Sequence, residues 1–178
     1  MLFRSHVLLE TAKSVGIKLL IHVSTDEVYG SCNGERKTEA SVLNPTNPYA
    51  ASKAAAEQIV RGYINSFYFP AIITRGNNVY GPRQYPEKLI PKFILRLKDN
   101  KPCCIHGSGT NRRHFIHVDD VVRAFDLIVH RGVLGETYNI GSQYEYENIE
   151  VAKAIISNIK KGDRDDTWIE WEIGRAHV

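Results

Sequence analysis

The chain has 178 residues, of which 43% are hydrophobic, 10% aromatic and 24% charged, and a formal net charge of +3 at pH 7. That balance belongs to a soluble globular protein and argues against a disordered or fibrous one; the length suits one domain with a real core, or part of something larger. The charge is too small and too evenly spread to call for a nucleic-acid partner, and no apolar run approaches the roughly 20 residues of a membrane span.

Three cysteines, two of them adjacent at Cys103 and Cys104, make neither a disulfide framework nor a metal-ligand spacing. No metal is expected, and a reducing compartment is. The start MLFRSHVLLETAK is interrupted throughout by charge and polarity, so it lacks a signal-peptide pattern and the cytosol is the expected location.

Val7, Leu8, Leu9, Ala12 and Val15 recur at helical spacing, with Gly16 as a cap, and predict a helix over residues 2–15. Lys18 to Ser24 is a short, partly β-branched apolar run without alternation, the pattern of a parallel strand covered on both faces. Residues 30–48, rich in Gly, Asn, Ser, Thr and Pro, predict a loop; Tyr49 to Phe67 then reads as a helix with Pro48 in its first turn. Ala71 to Arg75 is a second buried strand leading into the turn GNNVYGP, and strand, helix, strand implies a crossover in a parallel sheet.

Ile90, Phe93, Ile94 and Leu97 predict the next helix, Cys103 to His106 a short strand and Arg112 to Ile116 an extended piece. Val118, Val121, Val122, Phe125, Ile128 and Val129 form an amphipathic helix, with Asp119 and Asp120 at its positive end and Gly132 past its last turn. Thr137 to Ile140 reads as a strand, and Ile149, Ala152, Ile155, Ile156 and Ile159 as a final helix stopping near Gly162. From Asp163 on neither period is visible and Trp168 and Trp171 have no evident partner, so residues 163–178 are expected to form an irregular tail.

Asp26 and Glu27 stand side by side directly after the first strand. In open α/β sheets ligands bind beyond the carboxyl ends of the strands, so both carboxylates could face one ligand there; they could equally be solvated loop residues. Tyr49 and Lys53, four residues apart, share one face of the second helix. A lysine ammonium beside a phenol favours the phenolate and draws its pKa down from about 10 toward the range of a general base, although this spacing also arises by chance around an exposed lysine. Between Lys88 and Arg113 basic residues face Asp99 alone, which suits an anionic ligand such as a nucleotide diphosphate or simply a solvated helix face.

The segments HVLLETA, VSTDEVYG, NPYAASKAAAE, RGNNVYGPRQYPEKLIPKFI, HGSGTNRRHFIHVDDVVRA and GETYNIG follow one another over roughly residues 5–160. In that order they resemble the extended short-chain dehydrogenase/reductases, and among them the dTDP-glucose 4,6-dehydratases. The resemblance implies an α/β fold comprising the C-terminal part of a Rossmann-like, doubly wound parallel sheet and most of a small substrate domain. Residues 1–82 would be the NAD-binding part and residues 83–162 the part for the nucleotide sugar. It also implies NAD as cofactor, dTDP-glucose as substrate, and a homodimer built around the Ala50 to Ile64 helix.

By the same resemblance, Tyr49 with Lys53 takes a proton as hydride leaves C4 of the sugar, and Thr25 hydrogen-bonds the 4-oxygen. Glu27 then removes the C5 proton while Asp26 protonates the departing C6 hydroxyl. Ser24, Tyr49, Lys53 and Val79 would contact the cofactor; Asn78, Lys88, Leu89, His106, Arg113 and Asn148 would contact the substrate, with the Arg113 guanidinium suited to a diphosphate. Asn78 also reads as an ordinary turn residue.

The Asp-Glu pair separates this pattern from epimerases and decarboxylases of the same superfamily, which stand as alternatives beside a catalytically silent, partner-binding form. Members of the family begin with a strand, a GxxGxxG phosphate loop and a helix, and carry a later Arg-Pro-Gly segment. Neither motif occurs in these 178 residues, so a partial chain is expected. Arg113 is followed by His114 where relatives often have an acidic residue.

Overall fold

A computed structural model of the chain describes residues 2–30 and 35–172. In chain order the elements are α1 (Leu2–Ser14), β1 (Leu20–Thr25), α2 (Pro48–Phe67), β2 (Ala71–Gly76), β3 (Asn78–Tyr80), α3 (Leu89–Lys98), β4 (Cys103–His106), β5 (Arg112–His117), α4 (Val118–Arg131), β6 (Thr137–Ile140), β7 (Glu145–Glu147), α5 (Asn148–Ile159) and β8 (Ile169–Glu172). Two compact units alternate along the chain: Met1–Asn77 with Asp120–Gly141, and Asn78–Asp119 with Ser142–Val178.

The first unit holds a sheet ordered β1-β2-β6, parallel throughout, with Leu20 opposite Ala71, Thr25 opposite Gly76 and Ile73 opposite Thr137. β2 is central, and Ala71 to Arg75 are all buried, which is why this run shows no polar alternation. β1, expected to be covered on both faces, is only partly so: Val23 is 54% exposed, because among the described residues β1 pairs with β2 alone. α1 and α2 bury Leu9, Ala12, Val60 and Tyr63 against Phe69, Ala71 and Ile73. The start of α2 is set by Asn47, whose Oδ1 accepts from the Ala50 amide at 2.8 Å, and by Pro48, whose missing N–H costs nothing at a first helical position.

The second unit contains β3 parallel to β5, β5 antiparallel to β7, and β4 parallel to β8. Its core joins Phe93 and Leu97 of α3, Cys103 and Ile105 of β4, and Ala152 and Ile156 of α5. The stretch from Asp163 is not wholly irregular. A 3-10 turn over Asp165–Trp168 leads into β8, which pairs with β4 from Cys103 opposite Ile169 to His106 opposite Glu172. Trp168 and Ile169 pack against the core cluster, and Lys160 stacks on the Trp168 ring at 4.1 Å. A four-residue strand with so distant a partner is too short for a period to show. Residues 173–178 of the expected tail lie outside the described residues.

Candidate active site

The carboxylates owe their placement to an abrupt end of β1. Thr25 leaves the strand with its side-chain oxygen accepting from the Glu27 amide at 3.3 Å, which starts a 3-10 turn over Asp26–Tyr29. Gly30 closes it at φ +73°; a Cβ there would meet the Asn44 carbonyl oxygen at 2.1 Å, so glycine is required twice over. Val28 and Tyr29 are buried and anchor the turn against Ala54 of α2. Asp26 Oδ2 accepts from Asn77 Nδ2 at 2.6 Å, and its Oδ1 accepts from the Thr25 hydroxyl at 3.3 Å. Glu27 Oε2 accepts from Asn47 Nδ2 at 2.9 Å. Two neighbouring carboxylates are thus held by two different primary amides.

Tyr49 is the second residue of α2 and is half exposed. Burial pushes its phenol pKa upward, and the negative charges of Glu27 and then Asp26 push it the same way, so the ring lies within the field of both. This corrects the expectation that Lys53 draws the phenol down. The Lys53 ammonium instead donates to the Val23 carbonyl oxygen near the end of β1, at 2.5 Å. Beside it, the Ser24 hydroxyl is buried with no hydrogen-bond partner among the described residues. Burial, and secondarily the Lys53 charge, lowers the pKa of His22 on the same strand, against a smaller opposing effect of Glu57.

A family model described as the NAD dependent epimerase/dehydratase family matches residues 5–141. The chain belongs to the NAD dependent epimerase/dehydratase family. Among members, a dTDP-D-glucose 4,6-dehydratase of Dictyostelium discoideum is 52% identical over 164 residues, covering 86% of this chain and 38% of its own length. One from Mus musculus is 47% identical over 178 residues, covering 98% of this chain and 50% of its own. The chain therefore spans half or less of these curated relatives. A crystal structure of dTDP-glucose 4,6-dehydratase from Bacillus anthracis in complex with NAD superposes with a TM-score of 0.87 at 42% identity, over 94% of this chain and 53% of that one. The mixed α/β fold with parallel sheets is the Rossmann-like fold of these dehydratases.

Of the epimerase/dehydratase residues expected from sequence, Ser24, Thr25, Asp26, Glu27, Tyr49 and Lys53 gather in the first unit, at and beyond the end of β1. The others fall in the second unit. Asn78 starts β3 and donates to the His114 carbonyl at 3.4 Å, with Val79 next to it at 37% exposed. Lys88 precedes α3 with its ammonium 3.6 Å from Glu87, while Leu89 packs against the core cluster. His106 Nδ1 lies 3.2 Å from Glu172 Oε2, and the Asn148 amide donates to Asn111 O at 3.1 Å.

The tandem arginines differ. Arg112 meets Glu145 and Glu147, each at 3.3 Å, whereas Arg113 makes no ion pair among the described residues and donates only to the Arg112 carbonyl. The holders of the two carboxylates, Asn47 and Asn77, were not expected. Asn47 carried a usable signal, since Asn before Pro at a helix start is a capping pattern; Asn77 looked like any turn residue.

Proposed function

We propose that the protein carrying this chain is an NAD-dependent nucleotide-sugar 4,6-dehydratase, a hydro-lyase that converts dTDP-glucose to dTDP-4-keto-6-deoxyglucose and water. The observation that carries this reading is the pair Asp26 and Glu27, each fixed by its own amide donor and both acting on the phenol of Tyr49. An epimerase needs no such pair, because inversion at C4 eliminates nothing.

In this reading Tyr49 accepts the proton of the sugar 4-hydroxyl. For that its pKa must fall, which requires the Lys53 ammonium, one helical turn on, to leave the Val23 carbonyl for the phenol. Thr25 donates to the 4-oxygen. The C4 ketone acidifies the neighbouring C–H, Glu27 removes the C5 proton, Asp26, in the protonated state this step requires, gives its proton to the C6 hydroxyl, which departs as water, and Glu27 returns its proton to C5 as C6 is reduced. The buried Ser24 hydroxyl, without a hydrogen-bond partner among the described residues, would with Lys53 and Tyr49 hold the nicotinamide end of NAD; Val79 is the cofactor contact expected from the second unit. The chemistry NAD supplies when bound is a temporary hydride store, filled from C4 and emptied onto C6.

The first unit is then the cofactor-binding part. In the second unit Arg113, without a carboxylate partner among the described residues, is the natural diphosphate contact, with Asn78, Lys88, Leu89, His106 and Asn148 as further substrate contacts. We read the protein as a cytosolic homodimer. The test is incubation with dTDP-glucose, UDP-glucose and UDP-glucuronate in parallel. A 4-keto-6-deoxy product from dTDP-glucose, lost in Glu27→Gln, is expected. Carbon dioxide from UDP-glucuronate, or simple inversion at C4, would overturn the assignment.

A further inference from the structure

Glu57 and Arg75 are a fully buried ion pair, 0% and 2% exposed, joined by a fork: Arg75 Nη2 to Glu57 Oε2 at 2.6 Å, and Nε to Oε1 and Oε2 at 3.2 and 3.1 Å. The remaining guanidinium nitrogen donates to the Tyr29 hydroxyl at 2.8 Å and to the Glu39 carbonyl at 3.1 Å. Tyr29 in turn donates to Asn139 Oδ1 at 2.7 Å, and the Asn139 amide donates to Glu39 Oε1 at 2.9 Å. Burial works to lower the Arg75 pKa, but its hydrogen bonds to Glu57 and Tyr29 outweigh that and hold it raised.

The network ends in two places that matter to the site. Glu57 continues the face of α2 that carries Tyr49 and Lys53, at successive steps of four residues. Tyr29 closes the 3-10 turn that carries Asp26 and Glu27. Stability does not account for such a pair, because taking two charges out of water costs about as much as their attraction returns, and apolar residues of like volume serve as well or better. What a planar fork adds over packed hydrocarbon is a fixed distance and angle.

We propose that Glu57, Arg75 and Tyr29 are positioning residues that set the turn bearing Asp26 and Glu27 against the helix bearing Tyr49. The inference rests on the dehydratase reading for its catalytic consequence, but its geometric content can be measured without turnover. Tyr29→Phe deletes the oxygen at the junction and leaves the ion pair intact. Glu57→Met with Arg75→Met removes the pair and keeps the volume.

In each variant the Tyr49 phenol, followed in the cofactor-free chain by NMR titration of ring-labelled tyrosine and assigned with Tyr49→Phe, is expected to titrate closer to its ordinary value of about 10, because Glu27 and Asp26, whose charges add to the larger effect of burial, move away. In the protein carrying this chain, formation of the keto sugar is expected to slow by about tenfold in kcat, with KM for dTDP-glucose unchanged. An unshifted Tyr49 titration in folded variants overturns the positioning role whether or not dehydration is the reaction. Failure of both variants to fold would make the network a stability element and overturn it too. A shifted titration in a protein that makes no 4-keto-6-deoxy sugar would uphold the geometry and reject the dehydratase reading instead.

Discussion

Replacing Gly141 with alanine should disable Asp26 without touching it. A Cβ built at position 141 lies 2.1 Å from Asn77 Oδ1, 2.8 Å from its Cγ and 3.3 Å from its Nδ2. Those atoms end a rotatable side chain, so the amide swings away and the backbone stays, held by the Asn77 amide bonded to Ile140 O at 3.0 Å. The fold loses about 0.5–1.5 kcal/mol, the cost of one strained rotamer. Asp26 loses a 2.6 Å hydrogen bond, worth about 1.5–3 kcal/mol when one partner is charged. If Asp26 is the proton donor of the proposed dehydration and all of that is felt in its step, kcat for keto-sugar formation falls by about 10- to 150-fold. The assay compares Gly141→Ala, Asn77→Ala and the double variant, with urea unfolding alongside. Since the added methyl acts only through the amide, the double variant should be no slower than Asn77→Ala. Multiplying effects, or a wild-type rate in Gly141→Ala, would refute the reasoning.

Leu97→Ala, which empties a fully buried position beside Phe93 and Ile156, is expected to cost about 2–5 kcal/mol in urea unfolding. Tyr63 donates to Glu10 at 2.5 Å, and burial first, then that bond and the Glu10 charge, push its phenol up to about 12. A raised folded pKa stabilises fully below the unfolded value of about 10 and is lost as pH climbs through 12. Thermal midpoints should fall more steeply across that window in the native sequence than in Tyr63→Phe. Burial holds the Cys103 and Cys104 thiols up at about 11, so iodoacetamide at neutral pH should leave both unmodified in peptide mass spectra, and rapid labelling would contradict the packing of β4.

Elements whose own residues repeat at 3.6 or run continuously apolar are legible in the sequence alone. Ala71 to Arg75 read as a buried strand and is one, and the α2 helix began within a residue of where Pro48 placed it. What escaped depended on distant partners. β3 and β7 are three residues each and exist only because β5 lies between them; β8 exists because β4 offers it an edge. At the site, the elements and the adjacency of the carboxylates were visible, but their holders were not, since nothing local distinguishes Asn77 from other turn asparagines. The direction of Lys53 was misjudged for the same reason: sequence spacing puts it on the face of Tyr49, but a backbone carbonyl on another element claims its ammonium. Nothing in the sequence pairs Glu57 of the helix with Arg75 of the buried strand until the fold brings one to the other.

Asn47 uses both ends of one amide, its oxygen on the Ala50 N–H and its nitrogen on Glu27. Serine, threonine and aspartate would begin the helix nearly as well. Aspartate, however, has no proton to offer and would set one anion against another, and a hydroxyl is too short to span the same gap. Residues interchangeable as far as the helix is concerned are therefore not interchangeable as holders of Glu27, and a chain could keep its entire architecture at that position while losing the carboxylate's alignment.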